Sequence, residues 1–295
     1  RKLHFSGIHF TPPTPDGWHA LLSPADVVGN QTVWFVRRPT RGTTIGAIVG
    51  FGLNAETGIN QFFAGENIAR TFLPSAPGPG QQVLVEIGGP QPMLMLQVPF
   101  DYARWLVVHA LERHWETEEG AQLSDEYQLY GDLIWEFATP EAPPELRAYF
   151  ISSNEGTEPP ALETERPTLA ELAELTADLL RVPVMMGWFH QFHAVLIALD
   201  FQTPEEPVAA DDAGLLTLTE RTLAELSQRR AARELRTAMN LALRRQAAWL
   251  HIAGDTTAAR RAQMLADHLP HHTVQQDPLL TALVAGSLRQ MSLTN

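Results

Sequence analysis

The apolar residues of this chain change their spacing once, near Asp101, and that single change limits the architectures open to it. Before it come short runs rich in β-branched and aromatic side chains, at 3–10, 18–22, 32–38, 44–53, 82–87 and 93–98, set off by Gly, Pro and Asn. Runs of this kind read as strands. The links at 38–42 and 88–92 are too short for a parallel crossover, so they join antiparallel neighbours. A helix is expected over 57–69, crossing the sheet, and the Pro/Gly run at 74–80 reads as a surface loop.

Beyond Asp101 the apolar residues recur every three or four positions. Tyr102, Trp105, Leu106 and His109 share one helical face, and Tyr127, Tyr130, Ile134 and Phe137 share another, with Ser124 as its N-cap. A sheet cannot bury its own apolar face, so these helices are expected to pack on it. Residues 139–167 are rich in Pro and Glu, with an apolar insert at 146–151. They read as a linker carrying a short helix. After it, Thr168-Leu169-Ala170-Glu171 has the capping-box pattern, in which Thr and Glu satisfy two orphan backbone donors. Leu169, Leu172, Leu175 and Leu179 follow at core spacing, and 217–220 repeats the capping device. Gly254 ends one helix before Asp255 opens the next, and Asp277-Pro278 opens the last. Residues 247–269 therefore read as an antiparallel helix pair, with no second copy at a fixed period.

The expected fold class is α+β: a small antiparallel sheet domain with packed helices, followed by an all-α helical domain. In residue numbers, the α+β domain covers 1–138 (sheet 1–98, helices 101–138), the linker 139–167, and the helical domain 168–295.

Charge and composition exclude whole function classes. The chain carries 34 acidic against 21 basic residues, a net charge of −13. Nucleic acid and anionic membrane surfaces are disfavoured as partners, because binding them needs clustered Lys and Arg. Cysteine is absent, which removes disulfides, thiolate metal sites and a cysteine nucleophile. Lys2 is the only lysine. Phosphate-loop, kinase and Schiff-base chemistry each need an ammonium at a fixed, structured position, which a residue next to the terminus does not supply. The longest apolar stretch, 182–199, is interrupted by Pro183, His190, Gln191 and His193, so no membrane span is expected. The sequence opens with Arg1 and no charged-then-apolar leader follows, so either a leader was removed or this is a piece of a longer chain; a cytoplasmic protein is expected.

Three constellations carry candidate chemistry. Gly50-Phe51-Gly52-Leu53-Asn54-Ala55 has the G-x-G-x-x-A spacing after an apolar run, which in a dinucleotide site brings backbone close to a pyrophosphate. Glu86 would be the ribose carboxylate. Its distance along the chain exceeds the usual ~20 residues, and Gly58 interrupts the helix that should follow, so no cofactor is expected. His190 and His193 lie at i,i+3 and could share a metal with a carboxylate. No E-x-x-H or H-E-x-x-H motif accompanies them, and a His on an apolar helix more often packs its ring. Finally, Arg229, Arg233, Arg236 and Arg244 fall at offsets 0, 4, 7 and 15, one narrow stripe on an ideal helix, with Leu235, Met239, Ala242, Leu243 and Leu250 opposite. The stripe could grip a polyanion or an acidic partner; pairing with the chain's own carboxylates is the more frequent use of such arginines. Carboxylate pairs at 118–119, 205–206 and 211–212 fall in loops, and no G-x-S-x-G elbow is present. The reading that survives is a non-catalytic accessory or interaction protein, partnered by another protein or by itself. The alternative is a metal-dependent enzyme with its His site in the helical part.

Overall fold

The computed structural model describes residues 16–39, 44–54, 56–86, 92–117, 123, 125–136, 138, 141–150, 167–201 and 212–294. The expected strand at 3–10, the tips of both hairpin links and the Ser124 cap lie outside them. The chain divides into two compact units, one of 1–23 and 32–145, the other of 24–31 and 146–295.

The first unit is built on a six-stranded sheet of β1 (Trp18–Leu22), β2 (Gln31–Arg37), β3 (Ile45–Asn54), β4 (Gly58–Ala69), β5 (Gln82–Val85) and β6 (Met93–Val98), in the order β4-β3-β2-β1-β6-β5. β1 pairs antiparallel with β2, from Trp18 opposite Arg37 to Leu22 opposite Val33, and with β6 on its other side. β3–β4 and β5–β6 are antiparallel too. The sheet is thus the antiparallel one that the short links demand.

Both faces of the sheet are apolar. Successive strand residues point to opposite faces, so Phe35 and Trp34 of β2 serve different layers. Phe35 meets Phe100 of helix α1 (Phe100–Glu116) with ring centroids 5.1 Å apart. Trp34 joins Leu21, Val36, Ile48, Val85 and Met95 in a second cluster, closed by Leu73 from the loop after β4. Helix α1 buries Tyr102, Trp105 and Leu106, as the spacing predicts. The helix expected after Gly120 is instead a 3-10 segment, Asp125–Tyr130, running into a single α-turn, α2 (Gly131–Ile134).

The helix expected over 57–69 is a strand, β4. Asn54 Oδ1 accepts from the Glu56 and Thr57 N–H groups at 2.8 and 2.9 Å, and Gly58 follows at φ +85°. That turn sends the chain back along β3 as a hairpin. A Cβ at Gly58 would lie 2.2 Å from the Ala110 carbonyl oxygen of α1, so glycine serves both the turn and the close approach of the helix. Bulges interrupt the β3–β4 register, and Asn67 takes φ 59° on the edge strand.

The second unit holds α3 (Leu169–Leu180), α4 (Pro183–Ala198), α5 (Asp212–Gln228), α6 (Ala231–Ile252), α7 (Thr256–His268) and α8 (Pro278–Thr294). Thr168 and Glu171 form the complete capping box. Asp255 caps α7 by accepting from Ala258 N at 3.0 Å, just after Gly254 at φ +87°. Thr217 and Thr219 do not cap a helix. They lie inside α5, where their hydroxyls donate to the carbonyls of Ala213 and Leu215, because the helix begins a turn and a half earlier. Leu172, Leu179, Leu235, Met239, Leu243 and Leu250 are buried, whereas Leu169 stays exposed.

Residues 24–31 complete this unit. Asp26 Oδ1 accepts from the N–H groups of Val28 and Asn30, and Gly29 sits at φ +78°. Four helix side chains bond further backbone groups of the segment. Gln246 Oε1 accepts from Ala25 N at 2.9 Å and Gln191 Oε1 from Val27 N at 3.1 Å. Trp188 Nε1 donates to Ala25 O at 3.0 Å and Arg245 Nη1 to Gly29 O at 2.7 Å. An irregular segment can be buried only if its backbone groups find such partners.

Candidate partner-binding pocket in the helical unit

A cavity of about 370 Å³ opens in the helical unit between α6, the 3-10 turn Leu269–His271 and the start of α8. Helix α6 contributes Arg233, Arg236, Thr237, Met239, Asn240 and Leu243. The turn adds Leu269 and Pro270, and α8 adds Asp277 and Leu279. The 3.6-residue period of α6 places 233, 236, 237 and 240 along one edge of its buried face. Met239, Leu243, Leu269 and Leu279 are each at most 5% exposed, so the cavity has an apolar floor.

The polar groups at its mouth are held firmly. Arg236 Nη2 donates to the carbonyls of Leu269 and His272, both at 2.7 Å, and Nε lies 3.4 Å from Asp277 Oδ2. The other oxygen of Asp277 accepts from Leu279 N and Leu280 N at 3.1 Å, which caps α8. Burial pushes the Asp277 carboxyl above its ordinary range; the Leu280 N–H, the Arg236 charge and the Leu279 N–H offset this only in part. Asn240 Nδ2 donates to the Ala266 carbonyl, and its Oδ1 accepts from Arg244 Nε at 3.2 Å.

The four stripe arginines meet different fates. Arg229 stands in the link between α5 and α6 rather than on the helix, so the stripe is not continuous. Its guanidinium lies 4.2 Å from the Phe201 ring centroid, pairs with Glu225 at 2.7 Å and donates to the Leu199 carbonyl. Arg244 is 8% exposed and bonds Asp267 at 2.8 Å and the Tyr149 carbonyl at 3.2 Å. Arg236 is engaged as described. Arg233 is exposed, and among the described residues its guanidinium has no hydrogen-bond or ion-pair partner.

The other candidates do not assemble. Gly50 and Gly52 lie within β3, and a hairpin, not a helix, follows them. A Cβ at Gly50 would come 2.1 Å from the Phe63 ring, and one at Gly52 2.3 Å from Asn60 Oδ1. The glycines thus make room for cross-strand side chains. Glu86 is exposed just beyond β5, four strand spacings or roughly 19 Å from β3 in the sheet order. The pyrophosphate cradle that the motif suggests does not form in this antiparallel setting. His190 is exposed on α4 and His193 half-buried, its Nδ1 without a hydrogen-bond partner. Among the described residues, no three His, Asp or Glu side chains come close enough to hold a metal ion. His109 packs on Trp105 at 4.5 Å between ring centroids.

Compared with known proteins, the chain matches no family model, no curated protein and no solved structure. Among the described residues, no helix is long and apolar enough to cross a membrane. The periodicity of α6 flagged Arg233 and Arg236. Local pattern marks Asp277 as a helix cap and not as pocket lining, and Leu269 and Pro270 reach the pocket through the fold.

Proposed function

We propose that this is a non-catalytic interaction protein whose helical unit grips an acidic segment of another protein at the α6–α8 pocket. The observation that carries the reading is the unequal use of the arginines. Arg229, Arg236 and Arg244 have carboxylate partners within the chain. Arg233 keeps its donors for something else, at the mouth of a cavity with an apolar floor. A concave apolar surface with a few fixed polar groups is the usual form of a binding site. A net charge of −13 works against acidic partners at long range, so the cation must act locally, at contact distance.

A peptide array spanning acidic, neutral and basic sequences tests this. Peptides that set an acidic group beside an aliphatic residue should bind, and Arg233→Glu should remove that binding while leaving the circular dichroism spectrum unchanged. A protein that binds no peptide, or binds basic ones equally well, refutes the proposal.

A further inference from the structure

Resting on that reading, we infer that the pocket selects one carboxylate carried on an aliphatic residue, as at the C-terminal end of a polypeptide. The charges lining the cavity are the guanidiniums of Arg233 and Arg236 and the carboxylate of Asp277, which leaves one positive charge uncompensated. The interior pair is engaged within the chain. Asp277 is occupied by two backbone N–H groups and Arg236, and Arg236 by Asp277 and two carbonyls. Among the described residues that line the cavity, Arg233 is the cation with no partner inside the chain, and the fork of a guanidinium matches a carboxylate through two parallel bonds. A second negative charge, as on a phosphate, would face Asp277.

Size points the same way. About 370 Å³ lies near the lower end of the range for ligand sites, roughly 300–1,000 Å³. That is room enough for a large aliphatic side chain with its carboxylate. Met239, Leu243 and Leu279 present hydrocarbon to the side chain, while Arg233 stands at the rim.

Fluorescence anisotropy of a labelled peptide ending in Leu-Leu with a free carboxylate, and of its C-terminal amide, decides the matter, with octanoate as competitor. The acid should bind at least about tenfold more tightly than the amide, the size of one lost charge-assisted contact. Arg233→Gln, a change at an exposed position, should erase the difference. Equal binding of acid and amide overturns the carboxylate inference and leaves the interaction reading standing. So does a preference that survives Arg233→Gln. Binding of octanoate with no binding of either peptide overturns both, because the site would then serve a free acid. No binding of any probe also overturns both.

Discussion

Asp277 joins three features of the helical unit, the α8 cap, the Arg236 pair and the pocket lining, and two substitutions separate their contributions. Asp277→Asn keeps an oxygen for the Leu279 and Leu280 N–H groups, while it deletes the charge and sets an N–H group in place of the Oδ2 that faces Arg236 Nε. Asp277→Ala deletes the oxygen and the charge alike. Loss of an N-cap costs about 0.5–2 kcal/mol, so the Ala variant should lie about 1–2 kcal/mol below the Asn variant. The cost of Asn itself discriminates further. If the ion pair were the dominant force, removing one partner of a buried pair would cost about 3–5 kcal/mol. Burial instead outweighs Arg236 and leaves the carboxyl's affinity for its proton above the ordinary value of 3.8. The charge is therefore held against a burial penalty, and a neutral carboxamide in its place should cost less than the about 3–5 kcal/mol of a broken buried pair at neutral pH.

The sign of the pH dependence follows from the same shift. The folded state holds this proton more tightly than the unfolded state, so wild-type stability relative to Asp277→Asn falls as pH rises above 3.8 and levels off once the folded value is passed. Urea unfolding followed by far-UV circular dichroism at a series of pH values, with the slope m held common, reads both quantities. An Asn variant destabilised by more than about 3 kcal/mol would refute the claim that burial dominates the pair. So would a stability difference that does not change between pH ~4 and ~7.

Three further outcomes are expected. Gly50→Val should destabilise the sheet unit by about 1–3 kcal/mol, since its Cβ would lie 2.1 Å from the Phe63 ring; Phe63→Ala should recover part of that loss in a double-mutant cycle. Arg244→Met should cost about 3–5 kcal/mol in urea melts, because Asp267 and the Tyr149 carbonyl lose their partner; Asp267→Asn in the same background should cost little more. His19 is held near a pKa of about 4 by burial and then by the Arg38 charge. Its unfolded form takes up a proton near 6.5, so stability is lost as pH falls from there toward 4, and an NMR titration should show its ring unprotonated at pH ~5.

What the sequence discloses here depends on how far apart the cooperating residues lie. Helix caps are local, and Thr168 with Glu171, Asp255 with Gly254, and Asp277 with Pro278 are all legible within four residues. Strands β1, β2, β3, β5 and β6 are legible for the same reason. Residues 57–69 form a strand in place of the expected helix. The turn chemistry of Asn54 and the left-handed Gly58 decide the matter locally, and Phe63 gains more by packing edge-on against Trp34, 5.7 Å away, than a lone helix could offer.

Residues 24–31 mark the opposite extreme. Nothing between two strands suggests that Ala25 and Val27 belong with helices 163 to 221 residues later, because the bonds that place them run from side chain to backbone. Such pairings leave no period in either partner's sequence. The pocket lies between these extremes. Helical spacing flags Arg233 and Arg236 as neighbours, but whether an arginine is spent or free depends on which carbonyls and carboxylates the fold brings to it. Arg236 meets Leu269, His272 and Asp277 because α7 ends in a 3-10 turn and a second 3-10 segment, Val274–Gln276, leads from it into α8. The difference between a structural arginine and a receptor for a ligand is therefore set by the chain's return path, about 33 to 41 residues downstream, and not by α6 itself.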